Sequence, residues 1–198
     1  MTFMTIPAAS IAGMVFSLVV SFALPIGLFV YAKKKLGAKT APFFIGCGVF
    51  FVMVLMLEAA IHRIVFQLAG EALTGSVILY AVYGGLMAAL FEETGRYIAM
   101  RFLVKPMDFP NAFMYGAGHG GVERIIAVVL HLSLSILVFQ SIRKKSQKDL
   151  LNAYLFHFVI DSLSVLLSAV ASVWVVELVV ALVTGGAVLM AKYACMEE

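Results

Sequence analysis

Long apolar stretches separated by short polar connections make up the chain, at about 6–31, 42–68, 76–104, 111–140, 150–168 and 172–192. Most of them reach the ~20 residues that a helix needs to cross the hydrocarbon core of a bilayer. The short alternating segments of a membrane β-barrel are absent from the sequence. The pattern therefore predicts an all-α, polytopic membrane helix bundle of about six or seven spans, forming a single transmembrane domain over residues 1–198.

Composition supports the same class of protein. Hydrophobic residues make up 63% of the chain and charged residues 13%, and the mean hydropathy is +1.06, whereas soluble domains carry about 25% charged residues. The net charge of +3 lies in connecting loops and indicates membrane topology, not nucleic-acid binding. Cys47 and Cys195 lie in or beside apolar segments and suggest neither a disulfide framework nor a cysteine zinc site. We expect the first apolar segment to be a retained span.

Basic residues mark cytoplasmic loops, and here they give a conflict. Lys33–Lys35 and Lys39 follow the first segment, which places the N-terminus outside, and Arg101 with Lys105 agrees with this orientation. A single span at 111–140 would, however, put a basic loop outside, that of Arg143, Lys144, Lys145 and Lys148. Two alternatives restore the rule. Either 111–140 is a re-entrant or broken structure around its glycines, or a hairpin is missing near Gly121–Glu123.

Charged and histidine side chains inside the apolar segments mark functional sites, because burying them in a bilayer is costly. Glu92, Glu93 and Arg96 share the third segment, where the arginine can reach either carboxylate at helical spacing. One interpretation is a structural ion pair of arginine and glutamate near the membrane interface. The other is that the arginine pairs with one glutamate, and the second glutamate is free to act as a general base on water. Because Glu92 lies about 9 residues, or roughly 13 Å, from Arg101, we expect the site to open toward the cytoplasmic half.

The later segments supply histidines with carboxylate partners. His119 with Glu123 and His157 with Asp161 are each four residues apart, on one helical face, and His131 lies alone between them. Each is either a packing group or an oriented metal ligand or proton donor. Glu58 and His62, also four residues apart, are interpreted as a structural pair, and Glu177 has no explanation. Without the Glu58–His62 pair and Glu177, the remaining charged and histidine side chains together predict a hydrolytic pocket shared by several helices.

Three motifs resemble those of the YhfC family of intramembrane metalloproteases, which is related to the clan of CAAX-processing, PrsW and APH-type membrane proteins. They are "EETGR", "GAGHGGVE" and "HFVID", and the resemblance extends over essentially the whole chain. It implies that Glu92 activates the hydrolytic water, while the histidines hold a metal or stabilise the oxyanion. The catalytic set carried over is Glu92, Glu93, Arg96, His119, Glu123, His157 and Asp161. The metal set is His119, His131 and His157, for zinc or another divalent ion, unless the glutamate works without a metal.

Relatives of this family carry a long stretch between the "GHGG-x-E" helix and a later "GG-x-ER…H" helix. Here the two are fused as "GHGGVERIIAVVLH", so the resemblance also predicts missing residues near Gly121–Glu123. In one continuous helix, His119 and His131 would lie about 18 Å apart along the axis. They could then not ligate the same ion.

Three functions are consistent with these residues. The first is a peptidase of the cytoplasmic membrane that acts on a membrane-embedded or membrane-tethered protein or peptide. The second is a non-catalytic membrane scaffold that uses the polar cluster for packing. The third is a proton-coupled transporter, which is disfavoured because no internal repeat is visible.

Overall fold

The computed structural model describes residues 8–120 and 125–196, and every element in this part of the chain is helical. The helices are α1 (Ala8–Lys35), α2 (Ala41–Phe50), a π-helical segment (Phe51–Glu58), α3 (Ala59–Thr74), α4 (Val77–Phe102), α5 (Phe109–His119), α6 (Ile125–Lys144), α7 (Lys148–Ser168) and α8 (Val173–Met196). The predicted all-α fold is confirmed.

Five helical stretches in the described residues are long and apolar enough to cross a membrane. They are Ala41–Thr74, Val77–Phe102, Ile126–Lys144, Lys148–Ser168 and Val173–Met196. The first joins α2, the π segment and α3 into one stretch of 34 residues. The polytopic helical bundle is therefore confirmed, and each of these stretches overlaps one of the apolar segments that the sequence marks.

The fourth apolar segment departs from a simple span. Helix α5 ends at His119 after 11 residues, about 16 Å of rise, which is half the thickness of a bilayer core. Helix α6 then runs antiparallel to it, since Gly116 lies against Ser135 and Gly120 lies against His131. The predicted break is confirmed. The join at Gly121–Glu123 lies outside the described residues, so the missing segment stays a prediction.

The antiparallel α5–α6 pair brings the basic loops to one end of the bundle. The backbone N–H of Lys39 donates to Asn111 Oδ1 at 2.8 Å, which ties the loop after α1 to the start of α5. Lys144 Nζ donates to the carbonyl of Ala194 at 2.6 Å, which ties the end of α6 to the end of α8. Because α5 and α6 run antiparallel, the loops at Lys105 and Arg143 lie at the same end of the bundle, which is the arrangement that the basic residues require. Which side of a membrane this end faces stays a prediction.

A packed apolar layer fills the bundle between this basic end and its middle. Met100, Val104, Leu134, Leu137 and Val138 are completely buried in it, and Ala112 and Ala153 allow close approach of the helices. Close packing of this kind leaves few voids that could hold water. The polar side chains of the next section lie directly beyond this layer.

Candidate active site

The polar face of α4 carries three buried charged side chains. Glu92, Glu93 and Arg96 are each at most 6% exposed. Arg96 Nη1 donates to Glu93 Oε1 at 2.5 Å, the three-residue pairing that helical spacing predicts. The second carboxylate, that of Glu92, is left to interact with other helices.

Helix α7 contributes His157, whose ring lies between the two glutamates. Its Nδ1 lies 2.6 Å from Glu93 Oε1, and its Nε2 lies 3.3 Å from Asp161 Oδ2 and 3.7 Å from Glu92 Oε1. A carboxylate on Nδ1 fixes the orientation of an imidazole and leaves Nε2 for a proton, a metal or a substrate. Glu93 is therefore positioned to orient His157, and the predicted His157–Asp161 pair forms.

Glu92 is the point on which three histidines converge. Its Oε2 lies 3.2 Å from His119 Nε2 and 3.7 Å from His131 Nδ1, and its Oε1 faces His157. The ring centroid of His131 lies 5.5 Å from that of His119 and 5.4 Å from that of His157. The three rings are buried and come from α5, α6 and α7. The break in the fourth segment makes this convergence possible.

Further contacts hold the outer two histidines. Arg96 Nη2 lies 2.8 Å from His131 Nδ1, and because arginine only donates, this ring nitrogen accepts. The ring of Tyr115 stacks on that of His119, and its hydroxyl lies 3.4 Å from His119 Nδ1. A Cβ on Gly118 would overlap the Phe43 carbonyl, so glycine is needed for α5 to lie against α2 with His119 directed inward.

The donor set could hold a divalent metal, provided that His131 Nδ1 exchanged its hydrogen bond from Arg96 for the ion. Glu92, His119 and His131 each offer one ligand atom, and these atoms lie within 4.8 Å of one another. The 3.2 Å between Glu92 Oε2 and His119 Nε2 is close to the ~3.4 Å edge of a tetrahedron with bonds of about 2.0–2.2 Å, as zinc makes. This compact set contains Glu92 in place of His157, which the predicted metal set included.

Other predicted residues lie at the margin of this cluster or apart from it. The Asp161 side chain is 36% exposed and lines a cavity. Glu123 lies outside the described residues. Glu58 and His62 pair at 3.2 Å as predicted, and Tyr83 also contacts His62. This pair lies outside the cavity lining, although Glu58 is within electrostatic reach of Glu92 and His157.

A cavity of about 490 Å³ leads away from Glu92, His131 and His157 between α6, α7 and α8. Its lining continues along α7 through Asp161, Ser164 and Ser168 to Ala171 in the α7–α8 turn. That turn is at the end of the bundle opposite to the basic loops, so the expectation that the site opens toward the basic, cytoplasmic half is wrong. Sequence reasoning missed the two serines, although their helical spacing from His157 and Asp161 would have revealed a polar stripe.

Fold and site together define a polytopic membrane protein with a buried Glu/His centre shared by four helices. The family model described as YhfC intramembrane metalloprotease matches residues 20–123 and 121–180. The chain belongs to this family. Its two matched stretches meet at residues 121–123, where the sequence predicts missing residues.

One curated relative is the uncharacterized membrane protein YhfC of Bacillus subtilis (strain 168). It is 43% identical over 124 residues, which cover 61% of this chain and 47% of the relative. The chain thus spans about half the length of the curated relative that it matches. No solved structure matches the chain.

Proposed function

We propose that this protein is an intramembrane peptidase in which Glu92 acts as the base on the hydrolytic water. The observation that carries the proposal is the convergence of His119, His131 and His157 on one buried carboxylate. A scaffold needs no such cluster beside a cavity. Perturbed ionisable groups that meet in a cleft are typical of catalytic centres.

Each residue has a role in this mechanism. Glu92 takes a proton from water as the water attacks the peptide carbonyl, and passes that proton to the leaving amine. His119 and His157, on two sides of Glu92, stabilise the oxyanion by hydrogen bonds. Glu93 orients His157, and Arg96 compensates the Glu93 charge while donating to His131. Asp161 supports His157 at the mouth of the cavity. Glu123, in the same proposal, supports His119.

The same donors offer a second form of this mechanism. Glu92, His119 and His131 would hold a zinc or another divalent ion, with His157 adjacent. A bound metal of this kind acidifies water and polarises a carbonyl oxygen. In this form Glu92 serves as a metal ligand instead of the base. Removal of its charge should then lower the metal content of the protein, whereas in the first form the metal content should not change.

The proposed substrate shares the membrane surroundings of the protein. The five apolar stretches place the protein in a lipid bilayer, and its substrate is a membrane-embedded or membrane-tethered protein or peptide. By the positive-inside rule, the basic end faces the cytoplasm and the N-terminus lies outside the cytoplasmic membrane.

The test is Glu92→Gln, assayed on a panel of membrane-tethered peptides with metal content measured in parallel. We expect cleavage to fall by about 10²–10⁴-fold, the contribution of a general base, with the thermal midpoint retained. Glu71→Gln, the same change at an exposed glutamate of α3, should stay within threefold of the unsubstituted protein, on the order of 0.6 kcal/mol.

Unchanged cleavage in Glu92→Gln would refute the proposal. Loss of cleavage with unchanged metal content identifies Glu92 as the base. Loss of both identifies it as a ligand.

A further inference from the structure

The cavity beside Glu92 has most of its polar groups along one wall, although His131 of α6 and Glu177 of α8 also line it. His157, Asp161, Ser164 and Ser168 follow one another on α7 at intervals of four, three and four residues. Such spacing keeps them within a stripe of roughly 60° on the helix. The opposite walls, from α6 and α8, are mostly apolar. A continuous row of polar groups therefore extends from the catalytic cluster to the end of α7.

That end of the stripe lies at the level of a membrane–water interface. Trp174, the single tryptophan of the chain, lies there in the first turn of α8 and is 81% exposed. Exposed tryptophans are typical of interfaces. From Asp161 to Ser168 is seven residues, about 10 Å of helical rise. Water at the interface is thus only a short distance from the carboxylates.

The cavity does not extend in the opposite direction, toward the basic loops. Between Glu92 and the basic loops lies the apolar layer of Met100, Leu134, Leu137 and Val138, all without exposed surface. Tyr115, also completely buried, closes the layer beside His119. The layer does contain buried polar atoms, Ser135 Oγ and Gln140 Oε1, that have no hydrogen-bond partner among the described residues, but none of its residues lines the cavity that reaches Glu92. The described part of the bundle therefore connects the site to one face of the membrane.

We propose that the cavity is a water-filled vestibule, through which water and an extended peptide reach Glu92 from the membrane face opposite to the basic loops. The peptide part of this proposal rests on the proposed function, whereas the access of water does not. Peptide hydrolysis consumes one water per bond, and a site enclosed by lipid and apolar side chains needs such a route. The substrate class is then a peptide that enters from the face of the α7–α8 turn and extends along α7 to the depth of Glu92.

Thiol labelling tests the vestibule without any need for cleavage. In a background with Cys47 and Cys195 replaced by alanine, Ser164→Cys is compared with Leu166→Cys. Leu166 lies two residues further along α7, at a similar depth but outside the cavity lining. A membrane-impermeant maleimide is applied to each face of sealed vesicles in turn. Because maleimides react with the thiolate, which forms in water, we expect the first variant to react at least about tenfold faster, and only from the face of the α7–α8 turn.

Equal labelling of the two variants, or labelling of Ser164→Cys from the basic face alone, would overturn the vestibule. Either result would leave the Glu92→Gln test unaffected, so the two proposals fail separately. A second experiment blocks the cavity with a bulky side chain and measures cleavage. Ser164→Phe should reduce cleavage by at least tenfold, whereas Leu166→Phe should leave it unchanged. Full activity in a folded Ser164→Phe protein would overturn the passage of the peptide.

Discussion

Two clusters of glutamate and histidine lie in this bundle, and they differ in what surrounds them. The cluster at Glu92 joins α4, α5, α6 and α7, and each of its histidines is buried. The cluster at Glu58 joins the π segment and α3 to α4 through His62 and Tyr83. The His62 side chain is 31% exposed, and the pair is local in sequence. Only the first cluster opens into the cavity that extends along α7.

The comparison teaches that spacing alone does not identify a site. Glu58 with His62 and His157 with Asp161 both repeat at four residues, and both pairs form. What distinguishes the Glu92 cluster is how many helices its long-range contacts join, such as Glu92 with His119 over 27 positions and Arg96 with His131 over 35. The long-range contact of the Glu58 cluster, from His62 to Tyr83 over 21 positions, joins only α3 to α4. Burial then strengthens every electrostatic interaction within the Glu92 cluster.

The largest difference between the clusters should appear in stability. Arg96→Met leaves Glu93 buried without its cation, and breaking a buried pair in this way costs about 3–5 kcal/mol. Arg63→Met, beside the Glu58 cluster at an exposed position, should change the free energy of unfolding by less than about 0.5 kcal/mol. Denaturant or thermal unfolding in detergent measures both. Equal stability of the two variants would mean that the Glu92 cluster is not held by its ion pair.

Much of the fold follows from the sequence because spans in a bilayer are dictated by length and hydropathy. The apolar segments located all five candidate spans, and the basic loops revealed that 111–140 could not be one simple crossing. The motif residues Glu92, His119 and His157 were found because charge in an apolar segment is conspicuous.

Other features of the structure could not be predicted, because they depend on which faces of the helices pack together. The sequence of a single segment does not show which face of that helix packs against its neighbours. The π segment ending at Glu58 reads as an ordinary apolar helix, since its residues Phe51–Leu57 carry no polar signal. The contact of Arg96 with His131 spans 35 residues and could not be read from either motif. The direction of the cavity was predicted wrongly because distance along α4 says nothing about which end the other helices close.

A second difference should appear in activity. His157→Asn removes the Nε2 that faces Glu92, and we expect cleavage to fall by about 10–100-fold, near the lower end of the range for a positioned proton-transfer or hydrogen-bonding group. His62→Asn should stay within threefold of the unsubstituted protein. Initial rates on the same tethered peptide measure the ratio. If His157→Asn lost only thermal stability, the scaffold alternative would gain support over catalysis.

The smallest difference concerns the two tyrosines that contact these histidines. Tyr115→Phe removes a hydroxyl 3.4 Å from His119 Nδ1 but keeps the stacked ring. Tyr83→Phe removes a hydroxyl that lies 2.7 Å from His62 Nδ1. The shorter hydrogen bond is the stronger, so Tyr83→Phe should lose more stability, about 1 kcal/mol. Tyr115→Phe should nevertheless lose more activity, by about threefold to tenfold, because its hydroxyl selects the tautomer of a ring beside the base. A loss of activity that follows hydrogen-bond strength instead, larger in Tyr83→Phe, would place His62 within the catalytic machinery and remove the distinction between the clusters.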